Sequence, residues 1–259
     1  MSDEMTRWAA ATAGARGAVV DFDVPGVQDV AAAYDWQRAY TDAVMGASGR
    51  VSGFKLAVNG KPQMAHFGVT EPAWARIFSD EIYQSGAAVS RAGFSSVSIE
   101  PELAAILGDA VENLSGPVNR KDALEVIAGF HGAIELIDQR NMPLSQVTLP
   151  QAIALNVFNA GIVLGAQRIA PDDLDVSELH VALRLNGETV AETVGTAPQD
   201  PVEAVAWLLN QLLAQGIPLH AGMVVMCGTH LPLRVLETEV NNVAVDMTAL
   251  GTVSFSLID

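Results

Sequence analysis

Cysteine is nearly absent: Cys227 is the only one in 259 residues. A single thiol excludes an internal disulfide and a thiolate metal cluster, and fits a reducing, cytoplasmic location. Basic residues are scarce, 14 against 30 acidic, for a formal net charge of −16. Such a field opposes phosphate backbones and anionic lipid and favours cations, so neither nucleic acid nor a membrane surface is expected as a partner. No apolar run approaches the ~20 residues of a membrane-spanning helix. The start, MSDEMTRWAAATAGARG, carries two early acids and no basic stretch followed by an apolar one, so no signal peptide is expected. P-loop, Gly-x-Ser-x-Gly and dinucleotide fingerprints are missing. His66, His131, His180, His220 and His230 show no metal-ligand spacing and read as structural or solvated.

What is present is a globular composition, with 50% apolar and 17% charged residues. The length suits one large domain or a main domain with a smaller partner. Residues 27–47 read as an alanine-rich amphipathic helix, and VSGFKLAV (51–58) as a short strand. The segment 59–82, punctuated by glycine and proline, reads as a long loop with short helical turns. A strand is expected at 98–107, a helix near 120–130 and a buried strand at 132–140. In LHVALRLNGETVAETV two alternating runs flank Asn186-Gly187, a strong hairpin signal. DPVEAVAWLLNQLLAQG is a helix with Asp200 as N-cap, Pro201 at its first position and Gly216 past its end. Trp207 lies on its apolar face. The tail from residue 223 adds three strand-like runs. The fold class is α+β: an N-terminal helical segment over 1–50, then a β-rich domain over 51–259.

Within SIEPELAAIL (98–107), Glu100 and Glu102 share one face of a strand that otherwise reads as core. Buried carboxylates are costly unless paired, protonated or bound to a cation. Glu135, inside the apolar run AIELI, is the next glutamate in such a setting. Three glutamates from two core strands would make a hard all-oxygen site suited to Mg²⁺ or Mn²⁺ and not Zn²⁺. The competing reading places Glu100 and Glu102 in solvent on an edge strand, and Pro101 favours an edge or bulge. Lys55, the only charge in GFKLAV, is either a solvated edge residue or the partner of an anionic substrate.

The order Gly-Phe-Lys, GVTEP, Glu-x-Glu, AIELID-x-R and NVFNAGIVLG resembles the 2-keto-4-pentenoate hydratase and 4-oxalocrotonate decarboxylase group of the fumarylacetoacetate hydrolase superfamily. The resemblance extends to NGE in the hairpin, AVAWLLNQL in the helix and LGTVSFSL at the close. It implies a mixed β-roll or barrel, one Mg²⁺ or Mn²⁺ on Glu100, Glu102 and Glu135, and a 2-oxo acid or dienoate substrate beside Lys55 as catalytic and binding residue. Asn156 and Thr229 are implied substrate contacts, and a homo-oligomer is implied. The implied activity is a lyase: hydration of a 2-hydroxy-2,4-dienoate to a 4-hydroxy-2-oxo acid in aromatic degradation, with decarboxylation, or a diverged member with little activity, as alternatives. Four positions depart from the group's pattern. Ala73 and Leu155 stand where aspartates are usual, Ser98 replaces an arginine and Asn59 replaces a hydroxyl. With the aspartate at 73 missing, Glu71 and Asp80 are the nearest acids in sequence.

Overall fold

The computed structural model describes residues 2–15, 27–47, 50–140 and 146–259. Helix α1 (Asp3–Gly14) is capped by the Ser2 side chain, with Asp3 and Glu4 in the first turn, where the helix dipole favours anions. Helix α2 (Val30–Ala47) realises the alanine-rich pattern. Trp8 and Trp36 join the two helices edge to face at 5.0 Å. Gln37, fully buried on α2, donates to the carbonyls of Trp74 and Ile153 and so ties the helical start to the β-rich body.

Strand β1 (Val51–Ala57) is followed by α3 (Lys61–Phe67), β2 (Ala73–Phe78), β3 (Ile82–Gln84) and β4 (Ala87–Ser90). The long β5 (Val97–Leu107) leads through α4 (Arg120–Val126) into β6 (Ile127–Asp138). Helix α5 (Leu149–Ala154), β7 (Asn159–Ile169), β8 (His180–Leu185) and β9 (Glu188–Val194) come next. Helix α6 (Pro201–Ala214), β10 (Val224–Thr229), β11 (Arg234–Val235), β12 (Asn242–Met247) and β13 (Gly251–Ile258) close the chain.

Among the described residues the strands form two mixed sheets. The larger runs β2-β1-β10-β5-β6-β7-β3, with β11 beside β5, and the smaller runs β4-β13-β12-β8-β9. Leu103, Phe130, Ile134 and Val163 of the larger sheet share one core with Leu183, Val245 and Phe255 of the smaller. Leu208, Leu209 and Leu212 of α6 close that core. Asp200 caps α6 by accepting from the N–H groups of Val202 and Glu203, and Gly216 takes φ 65° beyond its end, as the sequence predicts. Asn186 and Gly187 both have positive φ (49° and 90°), the condition for a type I′ hairpin between β8 and β9. The architecture is the α+β, mixed-sheet fold with N-terminal helices that the sequence implies.

Three expectations are corrected. The segment 59–82 is not mostly loop: α3 and β2 lie within it. All six residues of β2 are buried, so the strand lacks the alternation that would mark it, and Arg76 at its centre imitates a loop. That arginine is itself buried, bonded to Gln37 Oε1 at 2.6 Å and held over the Trp74 ring. Second, the helix near 120–130 ends at Val126 and β6 already begins at Ile127. Third, β5 is no edge strand, since β10 and β11 pair on one side and β6 on the other. The β10–β5 register slips between Met226 and Thr229, and Pro101 lies just beyond that slip, with its carbonyl accepting from the His230 N–H. There its missing donor disturbs the ladder least.

Candidate functional site

Strand pairing brings the three glutamates together. In the antiparallel β5–β6 ladder Glu100 stands directly opposite Glu135, and Glu102 is two residues along β5 on the same face. One carboxylate oxygen from each lies within 4.8 Å of the others. Glu102 and Glu135 are buried, while Glu100 is half-buried and opens to the cavity beside them. The solvent-exposed reading of Glu100 and Glu102 is therefore set aside.

Neighbouring strands hold the carboxylates in place. Gly228, at the end of β10, donates its N–H to Glu102 Oε2 at 2.8 Å. Its φ is 105°, and a Cβ there would meet Asn59 Oδ1 at 2.5 Å, so the turn requires glycine. Asn59 packs into that space and donates to the Cys227 carbonyl at 2.9 Å, a structural role for the residue that replaces a hydroxyl. Lys55 on β1 is buried, its ammonium paired with Glu135 Oε1 and donating to the Val157 carbonyl at 2.9 Å. The solvated-edge reading of Lys55 is excluded.

The Val157 carbonyl reaches Lys55 because Asn156, Val157 and Phe158 all take positive φ, at 54°, 47° and 55°. Left-handed conformation costs roughly 1–2 kcal/mol per non-glycine residue, so this turn must be clamped. Asn156 is the clamp: its Oδ1 accepts from the Arg76 N–H and its Nδ2 donates to the Arg76 carbonyl, both at 2.8 Å. Asn156, an implied substrate contact, has its carboxamide committed to β2 and is not among the residues that line the cavity. Thr229 does line it, with its hydroxyl donating to the Leu231 carbonyl at 2.5 Å.

The cavity measures about 190 Å³. Among the described residues, its charged lining consists of Lys55, Glu100, Glu102 and Glu135, and most of the remainder is apolar, including Phe67, Ile137, Val147, Leu149 and Leu233. None of the five histidines lines it: His131 bonds the Gly165 carbonyl, His180 pairs with Glu192 and His230 faces the Thr196 carbonyl. Glu71 borders a separate hollow with Ala73, and Asp80 another with Asp138 and Arg140, so neither acid serves this cavity. Leu155 packs against Ile137 and Phe158, and Ser98 is buried with its hydroxyl unpaired.

Burial dominates the electrostatics. Desolvation, reinforced by the charge of Glu135 and opposed by Lys55, pushes Glu100 up to about 8. Glu102 is raised by burial, Glu135 and Glu100, against the Gly228 N–H and Lys55. Glu135 is raised by burial, while the Lys55 ammonium and a hydrogen bond from Glu102 hold it back. In metal-free protein these carboxyls therefore favour protons, and a hard dication is the charge that would replace them. The donor set fits one: oxygens on opposite sides of a dication stand about 4–5 Å apart at bonds of about 2.0–2.6 Å.

Metal uptake is accordingly expected to release protons. Calorimetric titration with Mg²⁺ at about pH 7, in two buffers of different ionisation enthalpy, should show on the order of one to two protons released per ion. Release should shrink as the starting pH rises through about 8, where Glu100 is already ionised. A group whose folded pKa is raised stabilises the fold at low pH and loses that contribution as pH climbs through the folded value. Metal-free protein should thus melt progressively lower between about pH 4.5 and about pH 8 from the Glu100 contribution and level off above that, and Mg²⁺ should restore it. Buffer-independent heats would contradict the proton-for-metal exchange.

Comparison with known proteins gives the family and the fold. Residues 60–257 match the model of the fumarylacetoacetate (FAA) hydrolase C-terminal family. The chain is 34% identical over 192 residues to a 2-hydroxyhexa-2,4-dienoate hydratase of Comamonas testosteroni, covering 72% of this chain and 71% of the relative. It is 29% identical over 210 residues to a 4-oxalocrotonate decarboxylase of a Pseudomonas species, covering 80% and 78%. A solved 4-oxalocrotonate decarboxylase from Pseudomonas putida G7, complexed with magnesium and adipate, shares the fold with a TM-score of 0.87 at 23% identity, over 99% of this chain and 98% of that one. With the family match spanning most of its length and the acidic cluster at the heart of its larger sheet, the chain belongs to the fumarylacetoacetate hydrolase family.

Proposed function

We propose that this protein is a divalent-metal-dependent lyase that hydrates a 2-hydroxy-2,4-dienoate to a 4-hydroxy-2-oxo acid. The observation that carries the reading is the convergence of Glu100, Glu102, Glu135 and Lys55 on one otherwise apolar cavity. Support comes from relatives named as a 2-hydroxyhexa-2,4-dienoate hydratase and a 2-oxo-hept-4-ene-1,7-dioate hydratase, at 34% and 29% identity.

Glu100, Glu102 and Glu135 would hold Mg²⁺ or Mn²⁺, which when bound supplies a Lewis acid for the substrate's carboxylate and C2 oxygen and so lowers the energy of charge developing there. The chain's own part is positioning and proton movement. Gly228 fixes Glu102 through its N–H, and the clamped turn at 156–158 fixes Lys55 through the Val157 carbonyl. Apart from the three glutamates, Lys55 is the only titratable group lining the cavity among the described residues. Hydration puts the water's hydroxyl on C4 and protons on C3 and C5, one from the water and one from the C2 hydroxyl. Lys55 is therefore the group assigned to relay a proton from oxygen to carbon, ending with the proton count it began with. The apolar wall limits stray water.

Decarboxylation of an oxalocrotonate-type acid is a second reading, favoured by Ala73 and by the placement of Glu71 and Asp80 away from the cavity. It needs the same charge stabilisation and less proton traffic. Purified protein with Mg²⁺ or Mn²⁺ should consume 2-hydroxypenta-2,4-dienoate, read as loss of its conjugated absorbance, and stop when the metal is chelated. Supplied with 4-oxalocrotonate, it should release no CO₂. Evolution of CO₂ without hydration would replace the first reading with the second.

A further inference from the structure

We infer that the site is built for monocarboxylic 2-oxo and enol acids with an uncharged, apolar tail, and that it discriminates against their dicarboxylic counterparts. The inference rests on the lyase reading of the cavity and goes on to specify its substrate class. The argument is one of charge. Three carboxylates, one lysine and one dication would sum to zero, and a substrate's first carboxylate would find its positive partners in the bound dication and Lys55.

Among the described residues, a second carboxylate at the far end would find no further cation in the lining. Among the described residues Lys55 is the only cation in the lining, and it is already paired with Glu135. Arg76 is held by Gln37 and Trp74 behind β2, Arg140 lines the hollow beside Asp138, and Lys61 lines another beside His230. The apolar part of the cavity wall includes Phe67, Ile137, Val147, Leu149, Ala152 and Leu233. Of the two neutral amides present, Asn59 is bound to the Cys227 carbonyl, leaving Gln63 at the exposed rim. An unpaired carboxylate against such a wall loses hydration without compensation, whereas a methyl or longer alkyl tail gains from burial. The net charge of −16 adds to the penalty on a second anionic group.

The test uses a matched pair: 2-hydroxyhexa-2,4-dienoate and 2-hydroxyhexa-2,4-dienedioate differ only in a terminal methyl against a carboxylate. The methyl compound should be favoured by ~100-fold in kcat/KM. Binding gives a readout independent of turnover. Calorimetry on Mg²⁺-loaded protein should show 2-oxohexanoate binding ~30-fold or more tightly than 2-oxohexanedioate. Equal or tighter binding of the dicarboxylate, or no binding of the monocarboxylate, overturns the inference. A retained binding preference without any hydration overturns the hydratase reading and leaves this one standing. Leu233→Arg, at the half-buried rim, should raise dicarboxylate affinity by ~10-fold, while Leu233→Gln, which brings no charge, should raise it far less. Val147→Arg serves the same purpose if Leu233→Arg does not fold. A preference unmoved by either folded arginine variant overturns the assignment of the tail to this wall.

Discussion

Glu102→Gln is expected to reduce metal-dependent turnover by about 10³-fold or more without unfolding the protein. Glutamine preserves the shape of the side chain and still accepts the Gly228 N–H that Glu102 Oε2 accepts. What it removes is one of the three charges that would hold the dication. Burial already raises the Glu102 carboxyl well above the usual range, so the metal-free fold favours the neutral form that glutamine imitates. The sign follows: metal-free Glu102→Gln should melt at or above the temperature of metal-free wild type near neutral pH, and the gap should widen as pH rises. Adding Mg²⁺ should raise the wild-type melting temperature and leave the variant's nearly unchanged. Glu102→Ala would confound these effects, because it also opens a void and strands the Gly228 donor. Paired measurements of melting and turnover on Glu102→Gln separate them. Wild-type turnover in a folded variant would show that Glu102 is no metal ligand.

The residues of this site were visible in the sequence because strand geometry is local. Glu100 and Glu102 must share a face if residues 98–107 form a strand, whatever surrounds them. Glu135 stands out because it interrupts an apolar run. The caps of α6 and the Asn186-Gly187 turn are equally local, and both appear as expected. Register is another matter: that Glu135 faces Glu100 depends on pairing between β5 and β6, which no local pattern specifies. The pairing of Lys55 with Glu135 follows from β1 lying beside β10, a parallel contact between strands far apart in the chain. The left-handed turn at 156–158 contains no glycine, so its backbone gives no sequence signal, and the role of Asn156 as its clamp was hidden with it. Glu71 and Asp80 mislead for a related reason. They are near Ala73 along the chain, but the fold sends them to different hollows.

Lys55→Met should separate metal binding from turnover in the opposite sense to Glu102→Gln. Methionine fills most of the buried volume of the lysine stem and removes only the ammonium. Three carboxylates remain, so Mg²⁺ should still bind, detectable by calorimetry and by its effect on melting. Turnover should fall by ~10²–10⁴-fold in kcat, the range for loss of a positioned proton carrier, and KM should rise as the substrate carboxylate loses its cation. Removing the ammonium also removes an influence that holds the Glu135 carboxyl down, so that carboxyl should bind its proton more tightly in the metal-free variant. A carboxyl raised further in the fold stabilises it at low pH and fails it as pH rises. Metal-free Lys55→Met should therefore fall further behind wild type as pH rises, avoiding at low pH most of the ~3–5 kcal/mol expected when a buried charge is stranded. Lys55→Arg distinguishes charge from proton transfer. Its guanidinium keeps the positive charge but does not give up a proton at working pH, so it should recover much of KM and little of kcat. Full kcat in Lys55→Met would remove Lys55 from the proton path and leave it as a partner of Glu135 alone.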